Sequence, residues 1–192
     1  VPQNNITQIA VLANGWQGEI VAQVNESYVG WDVEIGDADN DGQNEILTTG
    51  CPNSKLYMFK KEEKWTTKLL AENLANTFPG MGLAVKVVDL NLDGSNEIIL
   101  GTGQEGAGTA IFYTLQMRNN KLDTMNISRP DINKSGYTHN LAPYDLDGDG
   151  ILEVISAYCG GGEIIRYDYD KSLKNVNARK IEHLSGSGED PY

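Results

Sequence analysis

Three copies of one acidic pattern constrain this chain more than any other feature. Asp37-Ala38-Asp39-Asn40-Asp41-Gly42-Gln43-Asn44-Glu45 is the first copy and Asp89-Leu90-Asn91-Leu92-Asp93-Gly94-Ser95-Asn96-Glu97 the second. Asp145-Leu146-Asp147-Gly148-Asp149-Gly150-Ile151-Leu152-Glu153 is the third. Their first aspartates stand 52 and 56 residues apart. One such stretch can be accidental, but three at near-constant spacing mark an internal repeat.

Carboxylates this crowded repel one another, and a hard cation relieves the repulsion. Oxygen-only donors select calcium over zinc or copper. Numbering each loop from its first aspartate, positions 1, 3 and 5 are expected to turn side chains inward: Asp37, Asp39, Asp41; Asp89, Asn91, Asp93; Asp145, Asp147, Asp149. Glycine at position 6 permits a turn that a Cβ would obstruct. Position 7 is expected to offer a backbone carbonyl, from Gln43, Ser95 or Ile151, and position 9 a closing glutamate, Glu45, Glu97 or Glu153. The reading is about three Ca²⁺ per chain, the second site being weakest because Asn91 removes a charge. An EF-hand needs Glu at position 12 between helices. Thr48, Leu100 and Ser156 stand there instead, so that motif is excluded.

The flanks of the loops set the fold class. Trp31, Val33, Ile35 alternate with Asp32, Glu34, Gly36 before the first loop. Leu83, Val85, Val87 and His139, Leu141, Pro143 do the same in the other copies. Period two predicts a strand, with the apolar set as its core side. Ile46-Leu47, Ile98-Ile99-Leu100 and Val154-Ile155 begin a second strand, so each loop is a hairpin connection. A glycine-bearing turn follows, then a third strand over 55–60, 109–114 and 163–168. A fourth is predicted over 65–70, 121–127 and 178–182. Ile6–Ala13 and Glu19–Val24 match the third and fourth strands of an earlier unit. The expectation is all-β: one segment, 1–192, with a half unit at 1–28 and whole units at about 29–80, 81–136 and 137–192, fourteen strands and no helix.

Four strands per repeat of this length, arranged radially, describe β-propeller blades. Three and a half blades do not close a ring of four to eight. The chain is therefore expected to be part of a larger propeller, completed by a missing chain segment or by a homodimer.

The repeats resemble FG-GAP/VCBS repeats, the blades of integrin-α-like propellers and of many secreted microbial proteins. Met81-Gly82 stands where that family has Phe-Gly, and Val29-Gly30 does so less well. Gly101-Thr102-Gly103 resembles the Gly-Ala-Pro element, Thr49-Gly50-Cys51 more loosely, while Tyr137-Thr138 and Ala157-Tyr158-Cys159 depart from both elements. The resemblance implies a calcium-rigidified propeller, usually seven-bladed. It implies no single function, since the family spans adhesion, sugar binding and polysaccharide-degrading enzymes.

Composition narrows the partners. The chain carries 27 acidic and 15 basic side chains, a net charge of −12, which argues against nucleic acid. Three bound Ca²⁺ would move that to −6. No apolar run is long enough for a membrane-spanning helix. Modest-affinity calcium loops fill where calcium is about millimolar, which points to a secreted or cell-surface location. Sequons at Asn5, Asn25, Asn126 and Asn133 are compatible with that. The chain begins at Val1 without a signal peptide, as a processed chain would. Cys51 and Cys159 are too few for a disulfide framework. On a seven-bladed ring they would sit about 12 Å apart, beyond the ~7 Å reach of a disulfide.

A ligand face is expected opposite the calcium loops, from Trp31, Thr77, Phe78, Gln104, Glu105, Arg129, Tyr137, His139 and Tyr158. Aromatics beside amides and charges suit glycan or protein ligands. His139, Tyr137 and Arg129 could alternatively form the acid/base set of a polysaccharide lyase. His139 aligns with Trp31 and Leu83, however, which favours a packed imidazole. The leading expectation is a non-enzymatic module for adhesion or carbohydrate recognition. A lyase and a structural component of a surface or filament assembly are the alternatives.

Overall fold

The computed structural model describes residues 9–11, 17–22, 24, 28–51, 55–74, 80–104, 111–128, 136–158 and 162–183. These form fourteen strands and no helix. A short hairpin pairs β1 (Ile9–Val11) with β2 (Gln17–Glu19). The first four-stranded antiparallel sheet follows in the order β3 (Tyr28–Gly36), β4 (Glu45–Cys51), β5 (Lys55–Lys61), β6 (Trp65–Ala71). The second comprises β7 (Gly80–Val88), β8 (Glu97–Gln104), β9 (Phe112–Arg118) and β10 (Lys121–Ser128). The third comprises β11 (Gly136–Tyr144), β12 (Glu153–Tyr158), β13 (Glu163–Tyr169) and β14 (Val176–His183). Within each, every strand pairs antiparallel with its sequence neighbour. A two-residue bridge, Gly136–Gln104 and Tyr137–Gly103, links β11 to β8.

Side-chain burial gives the stacking order. All of Phe112–Met117 in β9 is buried, so both faces of the second sheet are covered. In β13, burial alternates strictly between full and partial along Glu163–Tyr169, as expected when one face is covered. The second sheet lies between its neighbours. Leu47, Leu56 and Met58 of the first sheet pack against Val85, Ile98, Leu100, Tyr113 and Leu115 of the second. Ala84, Ile99 and Phe112 on its other face meet Leu141, Val154, Ile165 and Tyr167 of the third. Phe112 stacks on Tyr167 at 4.1 Å between ring centroids, and the Thr114 and Tyr169 hydroxyls pair at 3.0 Å across the same interface. Burying side chains of this size stabilises by roughly 1.5–3 kcal/mol each.

Several expectations shift. In the N-terminal segment the second described strand ends at Glu19, where it was expected to begin. β9 runs from Phe112, paired with Gly101, to Arg118, beyond the expected end at Thr114, while Thr109 lies outside the described residues. The phase of β3 is the reverse of the apolar-in reading. Val33 and Ile35 are 55% and 64% exposed, while the alternate set faces the second sheet. Asp32 Oδ2 accepts the Val85 N–H at 2.9 Å, and Glu34 pairs with Lys86 at 2.7 Å. A Cβ at Gly36 would lie 2.8 Å from Val87 Cβ, so glycine permits this close approach.

Candidate metal centre

The three acidic loops join the first two strands of each sheet and share one hydrogen-bonding plan. Position 1 accepts two of its own loop's amides. Asp37 takes those of Asp41 and Gly42, both at 2.9 Å. Asp89 takes those of Asp93 and Gly94 at 3.0 and 2.7 Å. Asp145 takes those of Gly148 and Gly150 at 2.7 and 3.1 Å. Position 5 accepts from the amide two residues on, in Asp41–Gln43, Asp93–Ser95 and Asp149–Ile151. The closing glutamate reaches back through Oε2 to the amide of position 2. Glu45 meets Ala38 at 3.0 Å, Glu97 meets Leu90 at 3.0 Å and Glu153 meets Leu146 at 2.8 Å. These bonds require left-handed backbone at position 6, where φ is 88° at Gly42, 90° at Gly94 and 82° at Gly150.

The closing glutamates are interior groups. Glu45 is 0%, Glu97 1% and Glu153 3% exposed. Burial raises the Glu45 carboxyl above the ordinary glutamate range, against the Ala38 hydrogen bond. Burial pushes Glu97 up to about 7, again against a backbone bond, here from Leu90.

Two of the three loops gather their acids into a cluster that could hold a metal ion. Oxygens of Asp37, Asp39 and Asp41 lie within 4.8 Å of one another, as do those of Asp145, Asp147 and Glu153. In the first loop, Asp39 Oδ1 and Glu45 Oε1 are buried without a hydrogen-bond partner. Desolvated carboxylate oxygens without a hydrogen bond cost free energy that a cation at this point would recover, and the nearby charge on Lys60, 3.5 Å from Glu45 Oε1, offsets only part of it. The donors are oxygen throughout, which fits a hard divalent ion. Asp37, Asp39, Asp41 and Glu45 would hold it in the first loop, and Asp145, Asp147 and Glu153 in the third. The second loop has Asn91 where the first and third have an aspartate, so it carries one carboxylate fewer. Asn91 donates to Lys171 O at 3.1 Å and to Asp93 at 3.2 Å, and so ties the loop to the third sheet. At position 7, the amides of Gln43, Ser95 and Ile151 bind the aspartate two residues before them.

Cross-strand residues that the loop pattern does not include also reach these sites. Lys60 Nζ lies 2.6 Å from Asp39, 2.6 Å from Asp41 and 3.5 Å from Glu45. Burial acts to lower its pKa, but the Asp39 and Asp41 hydrogen bonds outweigh this and raise it. In the second loop Gln116 Nε2 donates to Glu97 Oε1 at 2.7 Å. In the third, Arg166 reaches Asp147 at 2.9 Å and Glu153 at 3.4 Å and also pairs with Asp168. Only a strand register, which a motif does not carry, could have found them.

Most of the expected ligand face lies outside the described side chains. Thr77, Phe78, Glu105 and Arg129 lie outside the described residues, as does Cys159, and the side chains of Trp31, Cys51, Gln104 and Tyr137 are not described. His139 is exposed, not packed as its alignment with Trp31 and Leu83 implied. Tyr158 is 3% exposed and belongs to the core between the second and third sheets, so it is not a surface ligand residue. No helix among the described residues is long and apolar enough to cross a membrane.

No family model matches the chain, and no curated protein matches it either. The fold and site define an all-β protein of repeated four-stranded sheets, each with an acidic hairpin loop on the same edge.

Proposed function

We propose that this chain is a calcium-binding segment of a β-propeller of the FG-GAP/VCBS type, working outside the cell as a recognition module for glycan or protein ligands. Support for the calcium reading rests on one observation. Buried oxygens of Asp39 and Glu45 lack a hydrogen-bond partner beside two further aspartates. Three sheets stacked face to face, each linked at the same hairpin by an acidic loop, support the propeller reading. The ring would be completed by a second copy or by further chain. Calcium would serve as a clip that fixes the first hairpin of a blade, at the first and third loops.

Calorimetric titration with Ca²⁺ tests this. Two sites per chain are expected. At ten times a Kd of order 10⁻⁴ M, each would stabilise the fold by about 1.4 kcal/mol. Absence of both heat and thermal stabilisation would end the calcium reading. A glycan array tests recognition, with Ca²⁺-dependent capture as the expected outcome.

A further inference from the structure

The three loops differ most in the group that the third strand brings to them. Lys60 stands across from Glu45, one step beyond the Ile46–Phe59 pair. Gln116 stands across from Glu97, one step beyond the Ile98–Leu115 pair. The third sheet has Asp168 there, one step beyond Val154–Tyr167, with Arg166 reaching in from two residues earlier. Loops built on one plan therefore receive a cation, a neutral amide and an Arg–Asp pair respectively.

We propose that Lys60 is an internal counter-ion that competes with the divalent cation for the first loop; this rests on the calcium reading above. Its ammonium lies where oxygens of Asp39, Asp41 and Glu45 converge, at 2.6, 2.6 and 3.5 Å. A protonated amine has no lone pair, so Lys60 cannot join the coordination shell. Nζ and the ion are alternative occupants of one set of oxygens. The Lys60 side chain is 16% exposed and Glu45 fully buried, while Asp41 at 37% keeps the mouth of the site in contact with water. The lysine holds the first loop closed at low calcium, and uptake of the ion requires Nζ to swing out. In the second loop neutral Gln116 is bound to Glu97, and Arg118 donates to the other end of that amide, Gln116 Oε1, at 2.6 Å.

The test is a Ca²⁺ titration of wild type, Lys60→Met and Lys60→Gln, read at the backbone amides of Gly42 and Gly150 by NMR. The glutamine variant copies the residue of the second sheet, so it keeps the test open if methionine disturbs folding. Removing one positive charge at this distance should tighten the Gly42 response by on the order of 10–100-fold and leave the Gly150 midpoint in place. In EDTA, both variants should unfold at lower temperature than wild type. A Gly42 midpoint unchanged or weakened in the variants overturns the proposal while calcium binding stands. A Gly42 amide silent in all three proteins, with Gly150 responding, overturns it too. Silence at both amides in every protein overturns the calcium reading itself.

Discussion

Asn40 and Asn96 hold the first two acidic loops together through a reciprocal pair of hydrogen bonds. Asn40 Nδ2 donates to Asn96 O at 3.2 Å, and the Asn96 N–H donates to Asn40 Oδ1 at 2.6 Å. Asn96 Nδ2 also reaches Asp37 O at 2.9 Å. Position 8 of one loop thus docks on the loop before it. The third loop repeats the relation in simpler form, the Leu152 N–H donating to Leu90 O at 2.7 Å. An ion that stiffens one loop would therefore be felt by the next. Asn40→Ala removes two bonds between the loops and should cost about 1–2 kcal/mol. Asn44, at position 8 of the first loop, is exposed, and Asn44→Ala should cost under ~0.5 kcal/mol. Urea unfolding of both variants checks the contrast. Equal losses would mean that the pair does not couple the loops.

Gly36 marks a close approach between the first and second sheets. A methyl group there would meet Val87 Cβ at 2.8 Å and Cγ1 at 2.9 Å. Gly36→Ala should destabilise by about 1–3 kcal/mol through overpacking. Val87→Gly removes both of these atoms, whereas Val87→Ala would keep the Cβ, so the Gly36→Ala/Val87→Gly double variant should lose less than the two single losses added together, by at least ~0.5 kcal/mol. Strict additivity in a double-mutant cycle would show that Gly36 is not required by this contact.

How much of this could be read in the sequence depends on what repeats. The three loops and their strand flanks were legible because the same residue types return at fixed offsets, and a hairpin is a local structure. The packing side of β3 was not. Val33 and Ile35 follow the apolar period but face away from the second sheet, and Asp32, Glu34 and Gly36 make the interface by backbone capping, ion pairing and small size. Polar groups that satisfy one another across an interface leave no mark on a hydrophobic pattern. Lys60 and Gln116 were equally hidden, because their relation to Glu45 and Glu97 depends on the register of β5 and β9, not on distance along the chain. The unequal fate of the loops was half legible. Asn91 marks the second as different, but its bond to Lys171 O spans 80 residues.

Leu92 is a strained residue in the second loop. Position 4 is left-handed in all three loops: φ is 61° at Asn40, 54° at Leu92 and 79° at Gly148. Asparagine and glycine tolerate this region, whereas a branched apolar side chain pays roughly 1–2 kcal/mol there. Leu92 is 61% exposed, so it regains little by burial. Leu92→Asn, which copies the first loop, should raise stability by about 0.5–1 kcal/mol, measured as an increase in Tm. A lower Tm would mean that the leucine makes a contact worth more than its backbone strain.

Glu97 should give the metal-free protein a characteristic loss of stability with rising pH. Burial pushes its carboxyl up to about 7 from an ordinary 4.5, although the Leu90 N–H opposes the shift. Between those values the folded chain keeps a proton that the unfolded chain has released. The folded state then binds more protons, so unfolding free energy falls as pH rises through that window. The contribution is fully present below about pH 4.5 and lost above about pH 7, and it amounts to roughly 3 kcal/mol. Glu97→Gln removes the ionisation and keeps a polar group next to Gln116. In EDTA the variant should gain on wild type by that amount between pH 4.5 and pH 8, compared by urea denaturation at each pH. A difference between the two proteins that stays constant across the window would show that Glu97 ionises in the fold as it does in water. Repeating the series with calcium separates the loops further. If the slope survives saturating Ca²⁺, the second loop takes no ion, as the turning of Asn91 towards Lys171 implies. If it vanishes, Glu97 has become a ligand.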